Sequence, residues 1–167
     1  MKYEELPIET KKFMQDAVEA IKKNFPHSNI TARFSDSFGY SVIYIGFLLS
    51  KDDSECSNGI RGNDAVGTYF KVETNADGTL KGDKTVLELS NGGFVCRIAD
   101  PTIPSEKYCV YGRVKLPFRK TTGTSEKLVS ALSKWASKAA VIMLENAEAI
   151  NAGTIKGLFK IEDKVVI

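Results

Sequence analysis

Histidine is the scarcest of the residues that enzymes commonly use for proton transfer and metal binding, because the 167-residue chain contains only His27. A Ser/His/Asp triad or a Cys/His pair would have to include this residue. His27 follows Pro26 in a predicted connection between a helix and a strand, and the sequence places no nucleophile beside it. We interpret His27 as a surface loop residue and assign no catalytic residue.

Cysteine is also sparse. The three cysteines, Cys56, Cys96 and Cys109, are odd in number and lie far apart. This pattern indicates reduced thiols in a cytosolic compartment rather than a disulfide framework. It also fails to supply the set of about four Cys or His ligands that a zinc site uses. The sequence opens with charged residues and shows no apolar signal segment, so we expect a cytoplasmic protein that is not secreted.

Long apolar runs and nucleotide-binding signatures are missing as well. The apolar stretch at residues 40–49 is shorter than the run of about 20 residues that crosses a bilayer, so we expect no membrane partner. The sequence contains no P-loop, no dinucleotide-binding glycine fingerprint and no nucleophile elbow. We therefore predict no cofactor.

The composition is that of an ordinary globular protein, with 43% hydrophobic and 26% charged residues. A chain of this length is expected to form one domain over residues 1–167, with a core of its own. The net charge of +2 is too small to identify a nucleic-acid or membrane partner. Any electrostatic inference must therefore come from local clusters of charge.

Hydrophobic periodicity predicts the fold class. Residues 29–35 and 40–49 are rich in β-branched and aromatic side chains and predict a hairpin, whose second arm is apolar on both faces and therefore predicts a central strand. Further strands are predicted within residues 66–74, 79–90, 94–98 and 108–116, with a last edge strand after Gly153. Stripes of apolar residues predict an N-terminal helix (Phe13, Ala17, Ile21) and a long C-terminal helix (Leu128, Leu132, Trp135, Ala139, Ile142). The sequence predicts an α+β fold, a mostly antiparallel sheet of five to seven strands packed by both helices.

The strongest functional signal is a basic cluster around the start of the C-terminal helix. Its cations are Arg113, Lys115, Arg119, Lys120 and Lys127, and Glu126 alone opposes them. Hydroxyl groups at Thr122, Thr124 and Ser125 lie in the same stretch, and Thr124 or Ser125 is suited to cap the helix. Because a helix N-terminus is already partly positive, cations crowded there indicate an anion-binding site. The alternative is a set of long side chains that simply reach into water.

An acidic loop is the second candidate site. Residues 51–65 are rich in Asp, Ser, Asn and Gly. The acidic residues of this stretch are Asp52, Asp53, Glu55 and Asp64, and the first three form the candidate site. The loop lacks the alternating oxygen ligands of a calcium-binding loop, so we assign no metal site to it. The carboxylates are instead candidates for contacting a basic partner, or they are simply solvated.

One segment resembles a known group of proteins. The order Lys22-Lys23-Asn24-Phe25-Pro26, then Ile30-Thr31-Ala32-Arg33-Phe34-Ser35, then Ser41-Val42-Ile43-Tyr44-Ile45 is similar to small domains associated with phage and plasmid polyvalent proteins. The resemblance covers about residues 22–45. It implies a mobile-element accessory protein that works near DNA or host defence machinery, and it transfers no catalytic residue.

These observations leave three functional hypotheses. The first is a non-enzymatic cytosolic module that contacts nucleic acid or another polyanion through the basic cluster. The second is an inhibitor or accessory factor, for example one encoded by a phage, that binds a host protein by surface complementarity. The third is an enzyme that acts on a phosphorylated small molecule held at residues 122–125, which we rank last because no general base is identifiable there.

Overall fold

The structure is a computed structural model that describes residues 1–26, 30–37, 39–48, 66–91, 94–96, 111–113 and 116–145. Within these ranges the helices are α1 (Ile8–Lys22) and α2 (Ser125–Glu145), and short 3-10 turns cover Tyr3–Glu5 and Gly82–Lys84. The strands are β1 (Ile30–Ser37), β2 (Tyr40–Leu48), β3 (Val66–Glu73), β4 (Val86–Asn91), β5 (Phe94–Cys96), β6 (Tyr111–Arg113) and β7 (Thr121–Thr122). The α+β class predicted from the sequence is confirmed.

The main sheet has five antiparallel strands in the order β1-β2-β3-β4-β7, and β5 pairs with β6 in a separate two-stranded sheet. The predicted hairpin is present, with Ala32 opposite Ile45 and Phe34 opposite Ile43. The prediction that residues 40–49 form the central strand is wrong, because β3 takes that position and β2 lies one strand nearer the edge. The shift arises because β7 joins the far edge of the sheet beside β4.

Both helices lie on one face of this sheet. Cross-strand pairing places Ile45 opposite Phe70, and Ile43 opposite Val72, so these side chains share a face. They form a single buried cluster with the apolar stripes of the helices, including Phe13, Met14, Ala17, Ile21, Leu128, Leu132, Trp135 and Ala139. Both helical stripes predicted from the sequence are therefore confirmed, and Ile142 packs at the edge of the cluster.

The opposite face of the sheet differs from the expectation for β2. Val42 is 5% exposed but belongs to no part of the helix-facing cluster, whereas Tyr44 is half-buried and Tyr40 is 65% exposed. Polar and charged residues of β1, β3 and β4 share this face with them. The alternation of β2 therefore separates a fully apolar side from an amphipathic one, because tyrosine combines an apolar ring with a hydroxyl that favours water.

The two helices begin at the same end of the sheet. Pro7 and Glu9 of the α1 start line the same cleft as Thr124 and Ser125 of the α2 start. A buried hydrogen bond of 2.7 Å, from the Thr10 hydroxyl to the Gly78 carbonyl, joins α1 to the turn between β3 and β4. This arrangement places the predicted site beside the first turn of α1. In the described part of the chain, no helix combines the length and apolar character needed to cross a membrane.

Candidate functional site

The segment that carries Arg119 and Lys120 is anchored to the core by its apolar residues. Leu116 is buried, and the Phe118 ring packs edge-on against Phe70 with a centroid distance of 4.9 Å. Phe118 thus packs at the periphery of the hydrophobic core, and its ring is not free to stack on a nucleic-acid base. Since Phe118 is held inward, Arg119 and Lys120 emerge from a fixed backbone and are both exposed.

The cations of this region are not neutralised by the rest of the described structure. Arg119, Lys120 and Lys127 are all exposed, and none forms an ion pair with another described residue. Elsewhere in the described residues, Lys71 pairs with Glu88 and Lys81 pairs with Glu73. The segment therefore keeps its positive charge available to an external anion.

Gly123 lies between the end of β7 and the start of α2. It is buried, and its N–H donates to the Thr85 carbonyl at 2.9 Å. The Lys127 side chain lies across it, since a Cβ placed on Gly123 would approach Lys127 Cβ and Cγ to 3.2 Å. A larger residue at position 123 would therefore require the Lys127 stem to move.

Thr124 is the cap of α2, one of the two candidates, Thr124 and Ser125, that the sequence offered. The Thr124 carbonyl accepts a 3.0 Å hydrogen bond from the Leu128 N–H. The Thr124 hydroxyl oxygen accepts a 3.5 Å hydrogen bond from the backbone N–H of Lys127. Glu126 also binds this helix end: hydrogen bonds from its own N–H and from the Ser125 and Thr124 hydroxyls lower the pKa of its carboxyl group. The Glu126 carboxylate thus lies in the first turn of α2, near the positive pole of the helix.

Two of the three hydroxyl residues of the predicted site lie in a different neighbourhood from Arg119 and Lys120. Thr124 and Ser125 line a cleft of about 330 Å³ together with Glu9, Thr10 and Thr79. The Glu9 carboxylate disfavours an anion in this cleft. The structure therefore divides the predicted site into two parts. Arg119 and Lys120 are exposed, and we call them the basic segment. Thr124 and Ser125 instead line the cleft beside the first turn of α1.

Comparison with known proteins assigns no family to this site. No protein-family model, curated protein or solved structure matches the chain. What the protein does is therefore inferred from its own residues.

The remaining predicted residues lie partly or wholly outside the described ranges. The backbone of Arg113 belongs to β6, opposite Phe94 of β5. Lys115 and the acidic-loop residues Asp52, Asp53 and Glu55 lie outside the described residues. Among the residues that the structure does describe, no group of three or more His, Cys, Asp or Glu side chains is placed to hold a metal ion.

A second group of residues, which we call the sheet surface, was missed by the sequence reasoning. It comprises Arg33, Tyr44, Tyr69 and Lys71 on the face of the sheet away from the helices. The Arg33 guanidinium lies 5.4 Å from the centre of the Tyr44 ring, and the Tyr44 and Tyr69 rings meet edge to face at 5.6 Å. The alternation of Tyr69 and Lys71 with the buried Phe70 and Val72 is the sequence signal that would have identified this surface.

The sheet surface continues toward the basic segment. Lys71 pairs with Glu88 of β4 at 3.1 Å, and this hydrogen-bonded ion pair raises the pKa of Lys71. Val86, two residues before Glu88, is opposite Thr122 of β7. Because residues two apart along a strand share a face, Thr122 lies on the same side of the sheet as Glu88 and Lys71. Lys120 directly precedes β7, so its backbone lies at the edge of this surface.

Proposed function

We propose that the protein is a non-enzymatic binding module that contacts a nucleic-acid backbone through Arg119, Lys120 and Lys127. The observation that carries the proposal is the exposure of these three cations without an acidic partner among the described residues. Phosphate groups are the abundant biological anions that neutralise such a cluster, and their neutralisation releases condensed counterions.

The sheet surface supports a single-stranded ligand. Tyr44 lies between Arg33 and the ion-paired Lys71 in the register of β1, β2 and β3, and the Tyr69 ring meets the Tyr44 ring edge to face. Single-stranded nucleic acid is commonly bound by positive side chains along its backbone together with aromatic rings that stack on its bases. The phosphate backbone of such a strand would contact the basic segment, and its bases would contact the tyrosine rings of the sheet surface.

The test is a salt series of fluorescence anisotropy titrations with labelled 20-nucleotide strands of mixed sequence. We expect the double substitution Arg119→Glu and Lys120→Glu to weaken binding for every sequence. We also expect it to reduce the steepness of the log Kd against log salt plot by about 0.7 for each phosphate group that the variant no longer neutralises. The matched control is Lys134→Glu with Lys138→Glu, which makes the same change in net charge at two exposed positions of α2.

Two results would contradict the proposal. One is binding that is undetectable, or independent of salt, for the unchanged protein. The other is an equal drop in affinity for the control variant, which would indicate a non-specific effect of net charge rather than a site at the basic segment.

The biological setting is a proposal as well. The resemblance of residues 22–45 to phage and plasmid polyvalent-protein domains supports a mobile-element accessory protein, and the widely spaced cysteines support a cytoplasmic location. The hypothesis of a host-protein inhibitor acting through Asp52, Asp53 and Glu55 stays a prediction, since these residues lie outside the described ranges. An enzyme that binds a phosphorylated molecule at Thr124 and Ser125 has less support, because the Glu9 carboxylate lines the same cleft and Glu126 lies in the first turn of α2.

A further inference from the structure

A groove of about 570 Å³ lies between α1 and α2, and we call it the helix groove. It extends from the first turns of the helices, at Glu9 and Ser125, to Lys23 and Ser133. The apolar part of its wall comes from Phe13 and Ala20, which are buried, and from Val129, which is half-buried. The groove therefore offers both an apolar floor and a polar rim.

The rim of the helix groove is acidic. Its ionisable residues are Glu9, Asp16, Glu19 and Glu126 on the negative side, and Lys12 and Lys23 on the positive side, so four negative and two positive charges leave a local charge of −2. Asp16 already binds the Lys12 ammonium at 2.6 Å. What remains is three carboxylates against Lys23. This sign is opposite to the net charge of +2 of the whole chain.

The chemistry of the groove selects against a nucleic acid and in favour of a cationic segment. Phosphate groups would be repelled by Glu9, Glu19 and Glu126, which are all exposed. Arginine and lysine side chains carry an apolar stem and a charged head, so one side chain can satisfy both parts of such a groove. Serine hydroxyls at Ser130 and Ser133 add hydrogen-bond acceptors for a guanidinium or ammonium group.

We propose that the helix groove docks a basic segment of a partner protein. The arginine or lysine stems of that segment lie on the half-buried Val129 and beside Ala20, and their charged heads meet Glu9, Glu19 and Glu126. An amphipathic helix laid into a groove between two helices is a common recognition mode. The groove belongs to the helix layer, whereas the sheet surface faces away from it; of the proposed nucleic-acid contacts, Lys127 lies on α2 and directly follows the groove residue Glu126.

The test uses a fluorescein-labelled, 15-residue amphipathic helical peptide built from Arg, Leu and Ala, with a second peptide in which Glu replaces Arg. We expect the unchanged protein to bind the Arg peptide and not the Glu peptide. The double substitution Glu9→Lys and Glu19→Lys should weaken binding of the Arg peptide by about tenfold or more, since each rim charge changes sign. The milder pair Glu9→Gln and Glu19→Gln should weaken it to an intermediate extent and guards against misfolding of the first variant.

The matched control is Glu4→Lys with Glu145→Lys, two exposed carboxylates outside the groove that make the same change in net charge. Backbone amide shifts on adding the Arg peptide should concentrate at Ala20, Val129 and Ser133. The proposal is overturned if the Arg peptide does not bind, if the control variant binds it as weakly as the groove variant, or if the shifts lie elsewhere. A labelled nucleic-acid strand that shifts the groove amides would also overturn it.

Discussion

Trp135 provides the sharpest test of how the core is held together. It is the single tryptophan of the chain, is 5% exposed, and packs edge-on against Phe70 with a centroid distance of 4.7 Å. Its indole N–H is buried and has no hydrogen-bond partner among the described residues. The residue therefore combines a large favourable burial with one unfavourable feature, and two substitutions separate the effects.

Trp135→Ala removes the whole ring, and we expect a decrease of about 3–5 kcal/mol in the free energy of unfolding. Trp135→Phe keeps an aromatic ring against Phe70 and removes roughly 50–100 Å² of buried area, which lowers stability by about 1–2.5 kcal/mol. The same change removes the unsatisfied N–H, whose burial costs about 1–3 kcal/mol. These two effects nearly cancel, so Trp135→Phe should change stability by only about 1 kcal/mol in either direction.

The measurement is urea denaturation followed by far-UV circular dichroism, because neither variant retains the tryptophan as a fluorescence probe. Equal slopes of the unfolding free energy against urea concentration would show that the variants unfold from comparable states. A destabilisation by Trp135→Phe as large as that by Trp135→Ala would refute the reasoning. It would mean that the indole N–H stabilises the native state rather than lowering its stability.

Three further predictions concern the turns and caps that position the site. Thr10→Val should lower the free energy of unfolding by about 1–2 kcal/mol, since it removes the buried hydrogen bond to the Gly78 carbonyl. Thr10→Ser keeps the hydroxyl group and should retain most of that stability. Chemical denaturation of both variants measures the difference. Gly78→Ala should destabilise the protein more than Gly82→Ala does in the same assay. Both glycines have a positive φ, which costs an alanine similar backbone strain. Only the Cβ at position 78 would meet another side chain, since it would approach Leu6 Cδ2 to 2.7 Å. Equal effects of the two alanines would show that backbone conformation alone sets the cost. Folding lowers the pKa of Glu126. The carboxylate of Glu126 therefore stabilises the folded protein above its unfolded-state pKa, and this stabilisation is lost as the pH falls through its folded-state pKa. Urea midpoints of Glu126→Gln should therefore lie below those of the unchanged protein at neutral pH and converge with them in acid.

Much of the fold could be read from the sequence because it depends on local periodicity. The stripe through Leu128, Leu132 and Trp135 predicts α2, and a period of 3.6 residues leaves little choice about which side is buried. The alternation of β2 likewise predicts a strand with Ile43 and Ile45 on one face. Two hydroxyl residues directly before an apolar stripe narrow the cap of α2 to Thr124 or Ser125, and the structure selects Thr124.

The order of the strands and the composition of the site required tertiary structure. β3 is central because β7, a two-residue strand that follows much later in the chain, pairs with β4, and no local pattern contains that information. Arg33, Tyr44 and Tyr69 come together only through cross-strand pairing, so the alternation within each strand indicates which face a side chain occupies but not which side chains become neighbours.

The sequence by itself determined the α+β class, the two amphipathic helices and the presence of a basic stretch before α2, since each depends on residues close together in the chain. Only the tertiary structure decided how those charges combine. Thr124 caps the helix end that the sequence assigned to an external anion, and Glu126 adds a carboxylate to the first turn of that helix. Packing α1 beside α2 also gathers Glu9, Glu19 and Glu126 into one acidic groove. Electrostatic interaction depends on distance through space, and distance along the chain does not predict it.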